Sequence, residues 1–215
     1  MDYKIAASIL NADFLHLKNE IDTLIDHVDE LHFDVMDGVF VENISFGAPV
    51  IGGLRGAYPK AFTEAHLMIA RPHDYWADFQ EAGCNVVIFH YEATDHSYML
   101  LKDIREGGIQ AGVSITPQTP VSVLEPIREF IDRVLIMTVE PGFGGQTFEP
   151  AMLRKIEEAR RLFGDAVDIE VDGGVKDTTI AAIKNAGANV FVVGSYLFNA
   201  EDRVGRVNTL REALR

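Results

Sequence analysis

Short runs of β-branched and aromatic residues alternate with helical segments along the whole chain, and this alternation limits the possible folds more than any other feature. The predicted strands are Lys4–Ser8, Glu30–Met36, Phe62–Met68, residues 85–90, Gln110–Ile115, Arg133–Met137, residues 168–171 and Val190–Val193. The clearest helical faces carry apolar residues three or four positions apart: Phe14, Leu17, Ile21 and Leu24 on one, and Met152, Ile156 and Ala159 on another. Such alternation predicts a parallel sheet covered by helices.

A short internal repeat indicates how many units the alternation contains. Residues 82–86 (AGCNV) and 186–190 (AGANV) match, and their separation of about 104 residues leaves room for four units of about 26 residues. Roughly eight such units fit the chain, which is the number in a (β/α)8 TIM barrel. The competing fold is an open, doubly wound sheet, but no GxGxxG turn follows a predicted strand. We therefore predict an α/β chain that forms one (β/α)8 barrel domain over residues 1–215.

The composition argues against several classes of protein. A formal net charge of −14 disfavours nucleic-acid binding, which needs a basic surface. No apolar stretch is long enough to span a bilayer, and the acidic start does not resemble a signal peptide. The only cysteine, Cys84, suits a reducing compartment and is expected to be a buried small residue. We expect a cytoplasmic protein with neither nucleic-acid nor membrane partners.

The segment from Leu31 to Gly47 contains the strongest indication of a functional site. His32 and Asp34 lie two residues apart on an apolar strand, so that their side chains point to the same face. Burying them together is costly unless something compensates their polarity, and a metal ion commonly does so. The strand then ends in a glycine-containing loop, which makes its end a candidate site.

In a barrel, the active site is built at the carboxyl ends of the strands and in the loops that follow them. The polar residues predicted at those ends are Ser8, His32, Asp34, His66, His90, Glu140 and Asp172. Two histidines and two carboxylates among them form a set suited to Zn(II), Fe(II), Mn(II) or Co(II): His32, Asp34, His66 and Asp172. A lone strand histidine is more often an ordinary core residue, so the metal hypothesis depends on these four side chains converging at one barrel mouth.

Glycines follow the last three predicted strands and form a second candidate set. They lie in the segments Gly142-Phe143-Gly144-Gly145, Gly173-Gly174 and Gly194-Ser195. Glycine lets backbone N–H groups approach a ligand closely, and the last loops of such barrels commonly bind phosphate in this way. Ordinary turn glycines are the alternative for any single pair, but three successive loops favour a phosphate site.

Three methionines, Met36, Met68 and Met137, also lie at predicted strand ends. Ordinary packing explains them, since methionine fills irregular gaps. A more specific alternative, which does not exclude packing, is an apolar wall that keeps water from a reactive intermediate.

At these residues the sequence resembles the ribulose-phosphate 3-epimerase family over nearly the whole chain. The segments that carry the resemblance are ASILNADF from Ala7, LHFDVMDGVFVENISFG from Leu31, AHLMI from Ala65, FHYEAT from Phe89, MTVEPGFGGQTF from Met137, EVDGGV from Glu170 and VVGSYLF from Val192. The resemblance implies a metal-dependent barrel enzyme that interconverts D-ribulose 5-phosphate and D-xylulose 5-phosphate in the pentose phosphate pathway. It also implies a homo-oligomer, either a dimer or a hexamer.

The resemblance assigns roles to individual positions of this chain. It places the metal ligands at His32, Asp34, His66 and Asp172, and the two acid–base carboxylates at Asp34 and Asp172. It places the substrate contacts, including those to phosphate, at Ser8, His66, Gly142, Phe143, Gly144, Gly145, Gly173, Gly174, Gly194 and Ser195. Among the possible ions, Zn(II) is preferred.

Four positions depart from the family pattern: Ala7 and Glu42 where proline is usual, Val39 where a polar residue is frequent, and Gln118 where PGTP or PATP is more typical. Glu42 adds a negative charge to the loop after the second strand, and this charge bears on the sugar preference rather than on the chemistry. One alternative is therefore a 3-epimerase acting on D-allulose 6-phosphate. A second alternative, a phosphate-binding decarboxylase barrel, would carry lysine in an Asp-x-Lys-x-x-Asp motif, where this chain has Met36. The non-enzyme alternative is a phosphate-binding barrel without chemistry.

Overall fold

The computed structural model describes residues 2–215 as a closed barrel of eight parallel strands, in the order in which they occur in the chain. The strands are β1 Lys4–Ser8, β2 Glu30–Met36, β3 Phe62–Met68, β4 Val86–His90, β5 Gln110–Ile115, β6 Arg133–Met137, β7 Asp168–Asp172 and β8 Val190–Val193. Pairing of β1 with β8 in parallel closes the barrel. An open, doubly wound sheet is excluded because such a sheet leaves its edge strands unpaired.

Six strands have the predicted bounds, and the other two differ by one residue. β4 begins at Val86 rather than at residue 85, because the Asn85 side chain accepts a hydrogen bond from the Thr63 backbone N–H instead of extending the strand. β7 extends to Asp172, whose partner across the ladder is Met137. This last extension fixes the backbone of Asp172, a predicted site residue, within the sheet.

Helices and 3-10 turns cover the outside of the barrel. The α-helices are α1 Leu17–Asp22, α2 Ala48–Ala57, α3 Trp76–Glu81, α4 Ser97–Glu106, α5 Met152–Phe163, α6 Ile180–Asn185, α7 Ser195–Phe198 and α8 Arg203–Ala213. A 3-10 helix, Val121–Phe130, replaces the α-helix between β5 and β6, and Pro126 in its interior disfavours α-helical hydrogen bonding. None of the described helices combines the length and apolar character that a bilayer-spanning segment requires.

The predicted first helical face was wrong at its amino-terminal end. Phe14 lies in a separate 3-10 turn and is 46% exposed, because Asp13 caps that turn by accepting a hydrogen bond from the Leu15 N–H. Ile21 and Leu24 are buried, as the periodicity predicts. In α5, Ile156 and Ala159 are likewise buried against the barrel.

The barrel interior is divided between an apolar part and a charged part. The apolar part contains Ala6, Val86, Ile88, Leu135, Met137, Val190 and Val192, with Phe62 packed against it. The charged part comes mainly from β2, β3 and β7, whose inward-facing residues include the acidic and histidine side chains described below. Outside the sheet, a larger apolar core joins strands to helices and includes Cys84, which is buried as predicted.

Candidate active site

The predicted metal ligands come together at the carboxyl-terminal mouth of the barrel. One ligand atom from each of His32, Asp34, His66 and Asp172 can be chosen so that all four lie within 4.8 Å of one another. The alternation of β2 points His32 and Asp34 to the same face, and the strand register sets Asp34 beside His66. Asp172 reaches the same point from β7.

The orientation of the two histidines suits a shared cation. His32 Nε2 and His66 Nδ1 both lie 3.1 Å from Asp34 Oδ1, so each ring presents one nitrogen to the same carboxylate oxygen. Both histidines are fully buried, and Asp34 is nearly so. Two imidazoles and two carboxylates in this arrangement fit a divalent metal ion, which takes nitrogen and oxygen ligands in this combination.

The two aspartates have opposite protonation tendencies. Burial would raise the pKa of Asp34, but the adjacent His32 and hydrogen bonds with His32 and His66 hold it well below its ordinary range. Burial and the neighbouring Asp34 charge raise the pKa of Asp172 to about 7. Ser8 Oγ donates to Asp34 Oδ2 at 2.6 Å, which further favours the ionised form of Asp34.

Above these side chains, a pocket opens between the strand ends and the loops. It is lined by the strand-end residues Ser8, Asp34 and Asp172, the three methionines, the loop from Val139 to Gln146, and Gly173, Gly174, Gly194 and Ser195. All the substrate-binding positions named from the resemblance line this pocket except His66, which is one of the four predicted metal ligands. Phe143 is 56% exposed at the rim.

The glycine loops adopt conformations that other residues rarely reach. Gly173 has φ of 119° and Gly174 has φ of 65°. A Cβ atom added at Gly174 would lie 2.1 Å from the backbone nitrogen of Phe148, so a side chain cannot be accommodated there. A Cβ atom added at Gly144 or at Gly194 would lie 2.4 Å or 3.0 Å from Asn11 Oδ1, so the Asn11 side chain occupies the space beside the loops after β6 and β8. Asn11 also lines the pocket, and no signal in the sequence singled it out.

The three methionines are buried, and they also line the pocket. Met36 and Met68 pack together with Val41, while Met137 belongs to the apolar part of the barrel interior. The packing interpretation is therefore confirmed, and the same side chains supply the apolar wall of the pocket.

A buried network beneath the site was not predicted. Glu64 Oε1 lies 2.7 Å from His32 Nδ1, and Glu170 Oε1 lies 3.2 Å from the same nitrogen. Arg133 is fully buried and bonds to Glu30 and Glu64, with its Nη1 3.5 Å from Glu170 Oε2. His32, Glu64 and Glu170 are also close enough to hold a cation, but Arg133 already supplies positive charge to both carboxylates.

A sequence signal for this network existed. Glu64 lies two positions before His66, and Glu170 lies two positions before Asp172, so each acid shares a strand face with a proposed ligand. Glu30 stands in the same relation to His32. These acids were overlooked because a glutamate near the start of a strand is usually exposed.

The remaining strand-end residues fall in different places. His90 is fully buried and its Nε2 lies 2.9 Å from His66 Nε2, but His90 is not part of the group of four predicted metal ligands. Glu140 is exposed at the pocket rim. Val39 and Glu42 are exposed and line a depression beside Glu140 and Phe143, next to the pocket.

Together these features define a (β/α)8 barrel whose polar site opens at the carboxyl ends of the strands, which is where barrel enzymes perform their chemistry. The model of the ribulose-phosphate 3 epimerase family matches residues 4–198. This chain therefore belongs to the ribulose-phosphate 3-epimerase family, a family of isomerases.

Individual relatives agree with this membership. The chain is 42% identical to the ribulose-phosphate 3-epimerase of Candida glabrata, with 98% of this chain and 92% of the relative covered. It is also 42% identical to a ribulose-phosphate 3-epimerase of Oryza sativa that is named a cytoplasmic isoform, with 98% and 94% covered. A solved structure of 3-keto-L-gulonate-6-phosphate decarboxylase from Vibrio cholerae has a TM-score of 0.74 at 15% identity, covering 100% of this chain and 98% of that one. This last similarity concerns the fold alone.

Proposed function

We propose that the chain inverts C3 of D-ribulose 5-phosphate to give D-xylulose 5-phosphate, with a divalent metal ion held by His32, Asp34, His66 and Asp172. The observation that carries the proposal is the convergence of these four side chains within 4.8 Å at the mouth of a barrel of this family. The ligand set suits Zn(II) best, and Fe(II), Mn(II) and Co(II) fit the same donors.

The chemistry requires two carboxylates. Inversion at C3 removes a proton next to the C2 carbonyl and returns a proton to the opposite face of a planar enediolate. One base cannot reach both faces, so Asp34 and Asp172 are assigned to opposite faces of the sugar. In each direction, one carboxylate takes the C3 proton while the other, already protonated, delivers its own to C3; the two then exchange roles in the reverse reaction.

The positions of the two carboxylates in the barrel support this assignment. Asp34 comes from β2 and Asp172 from β7, on separated parts of the barrel wall. When bound, the metal ion supplies positive charge that stabilises the enediolate oxygens. Met36, Met68 and Met137 provide the apolar wall that limits water near the reacting carbon.

The phosphate group is proposed to bind at the glycine loops. Gly173, Gly174, Gly194 and Ser195 line the pocket, and so does the loop from Gly142 to Gly145. The pocket's lining residues, as far as the structure of residues 2–215 describes them, include no lysine or arginine. Backbone N–H groups would therefore be the main donors, and binding energy from the phosphate would position the distant C3.

The sugar preference can be measured by comparing D-ribulose 5-phosphate with D-allulose 6-phosphate at equal concentrations. We expect kcat/KM to favour the pentulose phosphate, because the family assignment covers this chain from residue 4 to residue 198. A higher kcat/KM for the hexulose phosphate would reassign the substrate while leaving the two-carboxylate mechanism in place. Both activities should be lost when divalent metal is removed and should return when Zn(II) is added back. This result would support the proposed dependence on a metal ion.

A further inference from the structure

A chain of hydrogen-bonded side chains leads from His66 away from the proposed metal site. His66 Nε2 lies 2.9 Å from His90 Nε2, and His90 Nδ1 lies 3.3 Å from Glu92 Oε2. His66 and His90 are fully buried, whereas Glu92 lies in the 3-10 turn after β4. Nothing in the proposed acid–base chemistry uses His90 or Glu92, so their arrangement calls for another explanation.

Glu92 fixes the direction of the hydrogen bonds. Its Oε1 accepts from the Thr116 N–H at 2.8 Å, from Thr116 Oγ1 at 3.0 Å and from the Thr119 hydroxyl. Burial would raise the pKa of Glu92, but hydrogen bonds from His90 and Thr119 and from backbone N–H groups lower it to about 2. An ionised carboxylate can only accept, so His90 Nδ1 must carry the proton that it shares with Glu92.

The same logic carries over to His66. A neutral imidazole has a single N–H, so a His90 that donates from Nδ1 must accept at Nε2. Its complete burial favours the neutral form. The donor to His90 is then His66 Nε2–H, and the lone pair of His66 lies on Nδ1, the nitrogen that faces Asp34 and the proposed metal ion.

This direction is not fixed by the site itself. Asp34 Oδ1 is also an acceptor, and at 3.1 Å it favours a proton on His66 Nδ1, which would block metal binding. His32 faces the same competition, but Glu64 Oε1 at 2.7 Å accepts directly from its far nitrogen. In the described residues, the far nitrogen of His66, Nε2, has the His90 imidazole and no carboxylate among its hydrogen-bond partners, and His90 connects it to Glu92.

We propose that His90 and Glu92 are positioning residues that hold His66 in the Nε2–H tautomer and so leave Nδ1 free to bind the divalent cation. This inference rests on the metal site of the proposed function. Neither His90 nor Glu92 is a proposed metal ligand. Both act on the metal site through the protonation of His66. Outer partners of ligating histidines typically tune metal affinity in this manner.

Glu92→Gln tests the proposal by reversing one hydrogen bond. The three donors around Oε1 hold the amide oxygen in that place, so the NH2 group replaces Oε2 and faces His90 Nδ1. His90 must then accept at Nδ1 and donate from Nε2, which places the His66 proton on Nδ1. We expect the Kd for Zn²⁺, measured by competition with a chromophoric chelator, to rise about 10–100-fold.

Thr119→Val is the matched control. It removes a hydroxyl donor from the same carboxylate without introducing a new donor toward His90, and we expect the Zn²⁺ affinity to stay at the parent value. Thermal unfolding of the metal-free variants distinguishes the proposed positioning role of Glu92 from a purely structural role. If Glu92 is only a structural residue, Glu92→Gln lowers Tm while the folded fraction binds Zn²⁺ as tightly as the parent, and the proposal is overturned.

A second measurement needs no variant. In the Zn²⁺-loaded parent protein, ¹⁵N NMR of the imidazole nitrogens should show His90 protonated at Nδ1 and unprotonated at Nε2. The opposite tautomer of His90 contradicts the proposal even when metal is bound. If the parent protein itself fails to bind Zn²⁺, Mn²⁺ or Co²⁺, the metal site of the proposed function fails instead, so the two failures are distinguishable.

Discussion

Replacing Asp172 with asparagine is expected to lower kcat for interconversion of the two pentulose phosphates by about 10⁴-fold, the upper end of what a positioned acid or base contributes. Asparagine keeps the shape of the side chain but neither takes nor delivers the C3 proton on its face of the sugar. The measurement is a coupled epimerase assay at saturating divalent metal, because the same substitution removes a proposed ligand.

Hydrogen exchange at C3 tests the roles of the two aspartates more specifically than loss of activity does. With Asp34 intact, Asp172→Asn should still exchange the C3 hydrogen of one of the two sugars with D₂O, without forming the other epimer. Asp34→Asn should show the complementary behaviour with the opposite sugar. Asp165→Asn, at an exposed position before β7, is the matched control and should retain full activity. Near-normal interconversion in either active-site variant would exclude the two-base assignment.

Replacing Arg133 with methionine is expected to lower the free energy of unfolding by about 3–5 kcal/mol. Methionine fills much of the space but leaves Glu30, Glu64 and Glu170 buried without the guanidinium they contact. Because the site of Arg133 is fully buried, water cannot readily solvate these carboxylates in place of the guanidinium. Urea unfolding, followed by circular dichroism, measures the change.

Two further variants test the reason for this loss. Arg154→Met removes a side chain that is 86% exposed and pairs with Glu158, so we expect its effect to stay within about 0.5 kcal/mol. Adding Glu30→Gln to Arg133→Met removes one of the carboxylates that lose their contact with the guanidinium. The double variant should therefore recover part of the lost stability. A loss below about 1 kcal/mol for Arg133→Met would show that the carboxylates do not depend on this cation.

The buried network also connects the stability of the barrel to its site. Arg133 bonds to Glu64, and Glu64 accepts from the nitrogen of His32 that faces away from the proposed metal ion. The carboxylate therefore orients the imidazole, while the guanidinium offsets the cost of burying the carboxylate. The charged part of the interior thus supports the geometry of the proposed ligands from below.

The strands could be predicted closely from the sequence because their signals are local. In β2 and β3, alternating apolar and polar residues between turn-forming segments define both ends, and those bounds match. The convergence of His32, Asp34, His66 and Asp172 followed from one rule, that the carboxyl ends of barrel strands meet. Their possible roles came from the residue types and from the family resemblance.

What could not be predicted depends on contacts between distant residues. Arg133 precedes an apolar run and looks like an exposed strand start, but closure of the barrel surrounds it with carboxylates from other strands. The contact between His66 and His90 depends on ring orientations that no spacing encodes. Phe14 was placed on a helix because its periodicity fits, whereas the local cap from Asp13 determined the backbone.

The most direct test of the proposed function is C3 hydrogen exchange and epimerisation of D-ribulose 5-phosphate in D₂O, before and after stripping and restoring divalent metal. We predict metal-dependent formation of D-xylulose 5-phosphate with one deuterium entering at C3. If the metal-replete protein shows neither exchange nor epimerisation, the proposed function is contradicted. Only the barrel and its buried polar site then remain.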